Sequence, residues 1–185
     1  MQKTIINSML SALFVVLIIV GAYIAIPMPN SGVPIVLQNM FILLAGLLLK
    51  RNWAIITIIT YLILGSLGLP VFAGGKGSIA HFYGPTGGFL ISYLPAVFII
   101  SLISGLKVIK TKRVILDSIA LLAGIAVIYI LGIPWLAYRL PAIDTLQKAL
   151  AVGFYPYIGF DILKAAACVA IAKFIRPVIE NAFEE

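Results

Sequence analysis

The sequence predicts an all-α membrane protein: six transmembrane helices in one domain spanning residues 1–185, with both termini cytoplasmic. Three observations predict it. First, 63% of the 185 residues are apolar and only 10% are charged, against about 25% charged in an average soluble domain. Mean hydropathy is +1.18, and a soluble chain this short cannot hide so much apolar surface, because its exterior must face water. Second, the apolar residues run in long continuous stretches, which favours spanning helices over a strand barrel. Third, the 13 Lys and Arg fall mostly in short clusters between those stretches. A span needs about 20 residues to cross ~30 Å of hydrocarbon, so six use about 120 and leave room for loops.

The first span is expected over 5–26, ending at Pro27-Met28-Pro29-Asn30. Its apolar stretch is too long for a signal peptide and no small-x-small cleavage site follows, so it reads as a retained helix. The second, 33–49, stops at Lys50-Arg51-Asn52, and the third covers 53–69. A glycine-rich loop follows from Pro70 to Gly84. The fourth span, 87–105, is opened by Pro85-Thr86-Gly87-Gly88. The basic run Lys107 to Arg113 separates it from the fifth, 114–133. A connection over 134–158 carries a short surface helix at about 143–152, and the sixth span covers 159–175. Pro177 and an acidic tail of Glu180, Glu184 and Glu185 follow.

Charge sets the expected topology. With the N-terminus inside, nine Lys and Arg are cytoplasmic: Lys3, Lys50, Arg51, Lys107, Lys110, Lys112, Arg113, Lys173 and Arg176. Three, Lys76, Arg139 and Lys148, lie outside. That bias follows the positive-inside rule and turns both long loops outward. The net charge of +7 does not indicate nucleic acid, because no basic stripe is interleaved with aromatics. The single cysteine, Cys168, can form no internal disulfide and reads as a packing residue.

Ionisable residues inside spans are costly and are functional candidates by default. Asp117 lies four residues from Arg113, and an interfacial i, i+4 ion pair accounts for it. Asp161 and Lys164 stand three apart in Gly159-Phe-Asp-Ile-Leu-Lys164 and share one helix face. Either they pair with each other, or they bind a ligand with a carboxylate and N–H groups. Gln38 is a polar group in an apolar stretch, and either ties two helices or reads a polar ligand.

Gly75-Lys76-Gly77-Ser78 is not a phosphate cradle. Pro70 stands where the first glycine of that motif belongs, and Gly77 where Ser or Thr must follow Lys. The glycines instead let the loop fold tightly across the outer mouth. His81 is the only histidine, with no acid or nucleophile near it in sequence. No metal-ligand spacing is present, so no catalytic constellation is visible. Ser8-x3-Ala12 and Gly21-x3-Ala25 are small-residue patterns for close helix contact, within the bundle or with a partner subunit.

Pro34-Ile-Val-Leu-Gln38, Gly68-Leu-Pro-Val-Phe-Ala-Gly-Gly75, Gly84-Pro-Thr-Gly-Gly-Phe-Leu90 and Phe160-Asp-Ile-Leu-Lys-Ala165 occur in this order. Together they resemble the BioY family, biotin-binding S components of energy-coupling factor (ECF) transporters. The resemblance covers about 8–175. It implies a multi-pass protein of the prokaryotic cell membrane that captures biotin from outside, is not an enzyme and needs no cofactor. It implies as partners a transmembrane coupling subunit and two cytoplasmic ATPases. Asp161 and Lys164 match the family's Asp-x-x-Lys ligand motif; the biotin carboxylate is expected near Lys164 and polar ligand groups near Asp161, with the opposite orientation left open. Gln38 falls in its Pro-x-x-x-Gln motif, and Phe72 and Tyr83 are expected pocket walls or interface aromatics. Ser8 and Ala12 are the docking candidates, although Val16 interrupts the family's Ala-x-x-x-Ala pattern on this helix. The alternatives are the same architecture serving another small vitamin, an intramembrane enzyme using Asp161 and Lys164, or a small channel.

Overall fold

Large apolar side chains cover the outside of the helices as well as the core, and the polar residues within the apolar stretches turn inward. In α1 (Gln2–Tyr23), Asn7 and Ser11 are buried while Ile5, Met9, Leu13 and Val16 are exposed. In α8 (Tyr155–Ala182), Asp161 is 6% and Lys164 8% exposed, whereas their neighbours Ile162 and Leu163 are 51% and 68% exposed. In water this arrangement costs free energy on both faces; with lipid as the solvent it is favourable on both. The computed structural model describes residues 2–28, 33–106 and 112–183. Pro29, Asn30, Lys107, Lys110, Glu184 and Glu185 lie outside the described residues.

Between α1 and α8 come β1 (Ala25–Ile26), β2 (Ile35–Val36), α2 (Gln38–Leu48), α3 (Arg51–Ser66), α4 (Ala80–Tyr83), α5 (Gly87–Ser104), α6 (Arg113–Arg139) and α7 (Leu146–Gly153). Among the described residues three helices, α1, α5 and α6, are long and apolar enough to cross a membrane. α5 packs along α6, and α2 lies against α1, α5 and α8. The Ser11 and Thr57 hydroxyls bond at 2.8 Å and tie α1 to α3.

Several boundaries differ from the sequence expectation. The stretch 33–49 is not one helix. Its start forms β2, antiparallel to β1, with Ala25 opposite Val36 and Ile26 opposite Ile35. Pro34 biases Val33 toward extended backbone, and β-branched Ile35 and Val36 favour a strand. What remains is α2, only 11 residues long, with Gln38 opening it. α6 continues through Pro134 to Arg139, because a proline's freed carbonyl is tolerated inside a packed apolar helix. α8 starts earlier than expected, at Tyr155 with Pro156 in its first turn, and runs past Pro177.

One end of the bundle is held by a buried carboxylate. Asp117 is 2% exposed. Its Oδ2 accepts from Arg176 Nη1 at 2.6 Å, and Arg113 Nε lies 3.4 Å from its Oδ1. Arg176 also donates to the Leu47 carbonyl at 3.2 Å, and Arg113 to the Ser104 carbonyl at 2.6 Å. The expected pair between Arg113 and Asp117 is present, and Arg176 extends it. The cluster joins the ends of α2, α5, α6 and α8.

Candidate functional site

At the other end of the bundle, a cavity of about 570 Å³ opens between the helices. It lies about 22 Å along α8 from the Asp117 cluster, at 1.5 Å per residue. Gln38 and Asn39 enter it from the start of α2, Phe89, Leu90 and Tyr93 from α5, and Ile128 and Tyr129 from α6. Tyr157, Asp161 and Lys164 enter from α8, and the β ribbon and the glycine-rich loop line the rest.

The polar groups are already organised. Asp161 Oδ1 accepts from Lys164 Nζ at 2.9 Å, and Oδ2 accepts from the Tyr129 hydroxyl at 2.6 Å. The carboxylate is therefore held from both sides, by its own helix and by α6. Tyr93 donates to Asn39 Oδ1 at 2.9 Å, which orients that amide. Gln38 is 1% exposed, and its Oε1 has no hydrogen-bond partner among the described residues. Gln38 lines the cavity as a residue, but this oxygen exposes almost no surface to it. Among the described residues no group of three or more His, Cys, Asp and Glu could hold a metal ion.

The glycine-rich loop covers the cavity in a defined shape. Phe72 N donates to the Lys76 carbonyl at 2.7 Å, and Gly74 N to the Ala22 carbonyl at 3.0 Å. The Tyr23 hydroxyl donates to the Pro70 carbonyl at 2.6 Å. Gly74 and Gly75 take φ of 74° and 71°, the left-handed region that makes this turn a glycine position. The Phe72 ring is buried edge-on to Tyr61, His81 and Phe82, with centroids 5.6, 6.0 and 5.8 Å away. It lies directly on Gly65 of α3, where an added Cβ would overlap the ring.

Of the residues singled out in the sequence, Asp161, Lys164, Gln38 and Phe72 meet in this cavity. Tyr83 does not line it. Its ring is 64% exposed and lies 6.0 Å from the Arg139 guanidinium, because α4 turns it away from the loop's inner side. Ser8 and Ala12 are exposed on α1, away from the cavity. Sequence reasoning missed Tyr129, Tyr93, Asn39 and Lys76. Tyr129 did carry a signal, since tyrosines of membrane helices concentrate at the interfaces and this one sits deep in an apolar stretch. Tyr93 and Asn39 carried none, because their pairing joins positions 54 residues apart.

Comparison with known proteins agrees over nearly the whole chain. The sequence profile of the BioY family matches residues 1–181. The chain is 44% identical to a probable biotin transporter BioY of Pyrococcus horikoshii over 164 residues, 89% of this chain and 92% of that one. It is 35% identical to the biotin transporter BioY of Thermotoga maritima over 162 residues, 88% of this chain and 90% of that one. Its fold is similar to the crystal structure of the S-component for biotin from an ECF-type ABC transporter. The TM-score is 0.86 at 31% identity, covering 95% of this chain and 93% of that one.

Proposed function

The chain belongs to the BioY family, and from that premise we propose that its cavity captures biotin in the first step of uptake. It is a membrane protein and a transporter component rather than an enzyme. The observation that carries the assignment to this cavity is the Asp161–Lys164 pair, buried and held by Tyr129 at its polar end. Biotin has a ureido ring with two N–H groups and a carbonyl, an apolar bicycle and chain, and one carboxylate. A preformed cavity of 300–1,000 Å³ with few polar groups suits a ligand of that kind. The binding residues proposed are Asp161, Lys164, Gln38 and Phe72, joined by Tyr129. Tyr83 takes the role of an interface aromatic.

The reading extends to the assembly. The chain crosses the cell membrane six times with both termini cytoplasmic, so the cavity opens outward and the Asp117 cluster faces inward. The whole chain is one substrate-binding domain. The partners are a coupling subunit, docked on the α1 face that bears Ser8 and Ala12, and two ATPases that supply the energy. The exposed apolar stripe of α1, Met9, Leu13 and Val16 beside these small residues, supports that face.

Native mass spectrometry of the detergent-purified protein, with and without biotin, tests the ligand. One bound biotin per chain, outcompeting other vitamins, is expected. A folded protein with no biotin adduct, beside a control binder that keeps its ligand, overturns the reading.

Gly65→Ala gives a second check. The new methyl group must push the Phe72 ring off α3 and into the cavity's wall. A loss of biotin affinity of about tenfold is expected with helix content unchanged by circular dichroism. A displaced buried ring is comparable to an overpacked core, which costs about 1–3 kcal/mol.

A further inference from the structure

The charges around the cavity do not cancel. Its described lining carries one carboxylate, Asp161, against two ammonium groups, Lys164 and Lys76. Asp161 and Lys164 are 2.9 Å apart and neutralise each other. Lys76 has no acid within ion-pair distance among the described residues, so the lining holds one uncompensated positive charge. A ligand carrying a single negative charge balances it.

The position of that charge is built into the fold. Lys76 closes the turn that begins at Phe72, with hydrogen bonds in both directions between the two residues. Gly74 anchors the turn to the end of α1, and Tyr23 anchors the strand of chain leading into it. Next to it, a Cβ on Gly77 would overlap the Leu69 carbonyl, so the loop is packed against its own start. Lys76 is therefore held at the rim of the cavity, on the loop, while the Asp161–Lys164 pair sits in the bundle on α8.

We propose that Lys76 is the residue that selects a free carboxylate, taking the acid end of the ligand at the loop while the neutral ureido end meets Asp161 and Lys164. This rests on the biotin reading above and deepens it. The sequence left the orientation open, with Lys164 as the expected partner of the carboxylate. In the structure that ammonium is already committed to Asp161. A neutral group offering N–H donors and a carbonyl matches such a pair without adding net charge, since Asp161 accepts and Lys164 donates. A carboxylate placed there would sit against the Asp161 carboxylate as well. At Lys76 it meets a cation with no competing acid, and it stays close to the water that solvates it.

The test compares biotin with biotinamide, which lacks only the negative charge, by isothermal titration on the full chain in detergent. Wild type is expected to bind biotin at least tenfold more tightly than the amide. Lys76→Gln is expected to lower biotin affinity about tenfold, with a much smaller effect on the amide, so that the preference collapses toward one. Lys76→Arg keeps the charge and is expected to keep most of the preference. An unchanged acid-to-amide ratio in folded Lys76→Gln overturns the proposal. So does a ratio that collapses in Lys164→Gln but not in Lys76→Gln, which would return the carboxylate to α8. If the folded wild type binds neither compound, the biotin reading itself has failed, and this inference with it.

Discussion

Lys164→Ala is expected to weaken biotin binding at least tenfold with the fold intact. Lys164 is 8% exposed, and its ammonium donates to Asp161 Oδ1 at 2.9 Å. Its removal deletes a donor for the ligand. It also frees the Asp161 carboxylate from half of its support, leaving Tyr129 to hold Oδ2. A hydrogen bond to a charged group contributes about 1.5–3 kcal/mol, which corresponds to roughly 10- to 150-fold in affinity. Titration calorimetry, with circular dichroism and size exclusion to establish folding, reads the effect. A folded variant that binds biotin like wild type removes Lys164 from the site.

Asp117→Ala should have the largest effect on stability, and little on the ligand. The carboxylate is 2% exposed and lies between Arg113 and Arg176. Without it two guanidinium groups face each other in a largely buried setting. Breaking a buried ion pair from one side typically costs about 3–5 kcal/mol, because an uncompensated charge is left behind. Thermal unfolding in detergent is expected to shift down sharply. Pairing it with Arg176→Met should recover part of the loss, since the two sites share one network. Biotin affinity measured well below the transition should stay near wild type, because the cluster lies about 22 Å along α8 from Asp161. An Asp117→Ala protein as stable as wild type would mean that the cluster is solvated rather than buried.

The helical class was legible because lipid constrains sequence more severely than water does. Continuous apolar stretches leave few alternatives once every backbone group must be satisfied within its own segment. Proline was the weak guide. Pro134 and Pro177 read as boundaries, yet both lie inside long helices, whereas Pro34 marks a true break into a strand. The difference lies in the surroundings, since α6 and α8 are braced by neighbours and the ribbon at 35–36 pairs with 25–26. No local rule encodes that pairing.

The candidate site was legible in part for the same reason. A carboxylate and an amine three residues apart in an apolar helix are conspicuous wherever they point, and so is a glutamine inside an apolar stretch. The sequence by itself therefore determined the solvent of this protein, its helical class, and three polar residues that line its cavity, Gln38, Asp161 and Lys164. Tertiary structure alone decided how the charges are shared. It brought Tyr129 and Lys164 to the two oxygens of Asp161, Arg176 to Asp117, and Lys76 to the rim with no acid in ion-pair reach among the described residues. It also turned Tyr83 outward while seating Phe72 on Gly65. Each depends on which distant helix a side chain meets, and in a low-dielectric interior that meeting determines whether a charge is neutralised by the protein or left for a ligand.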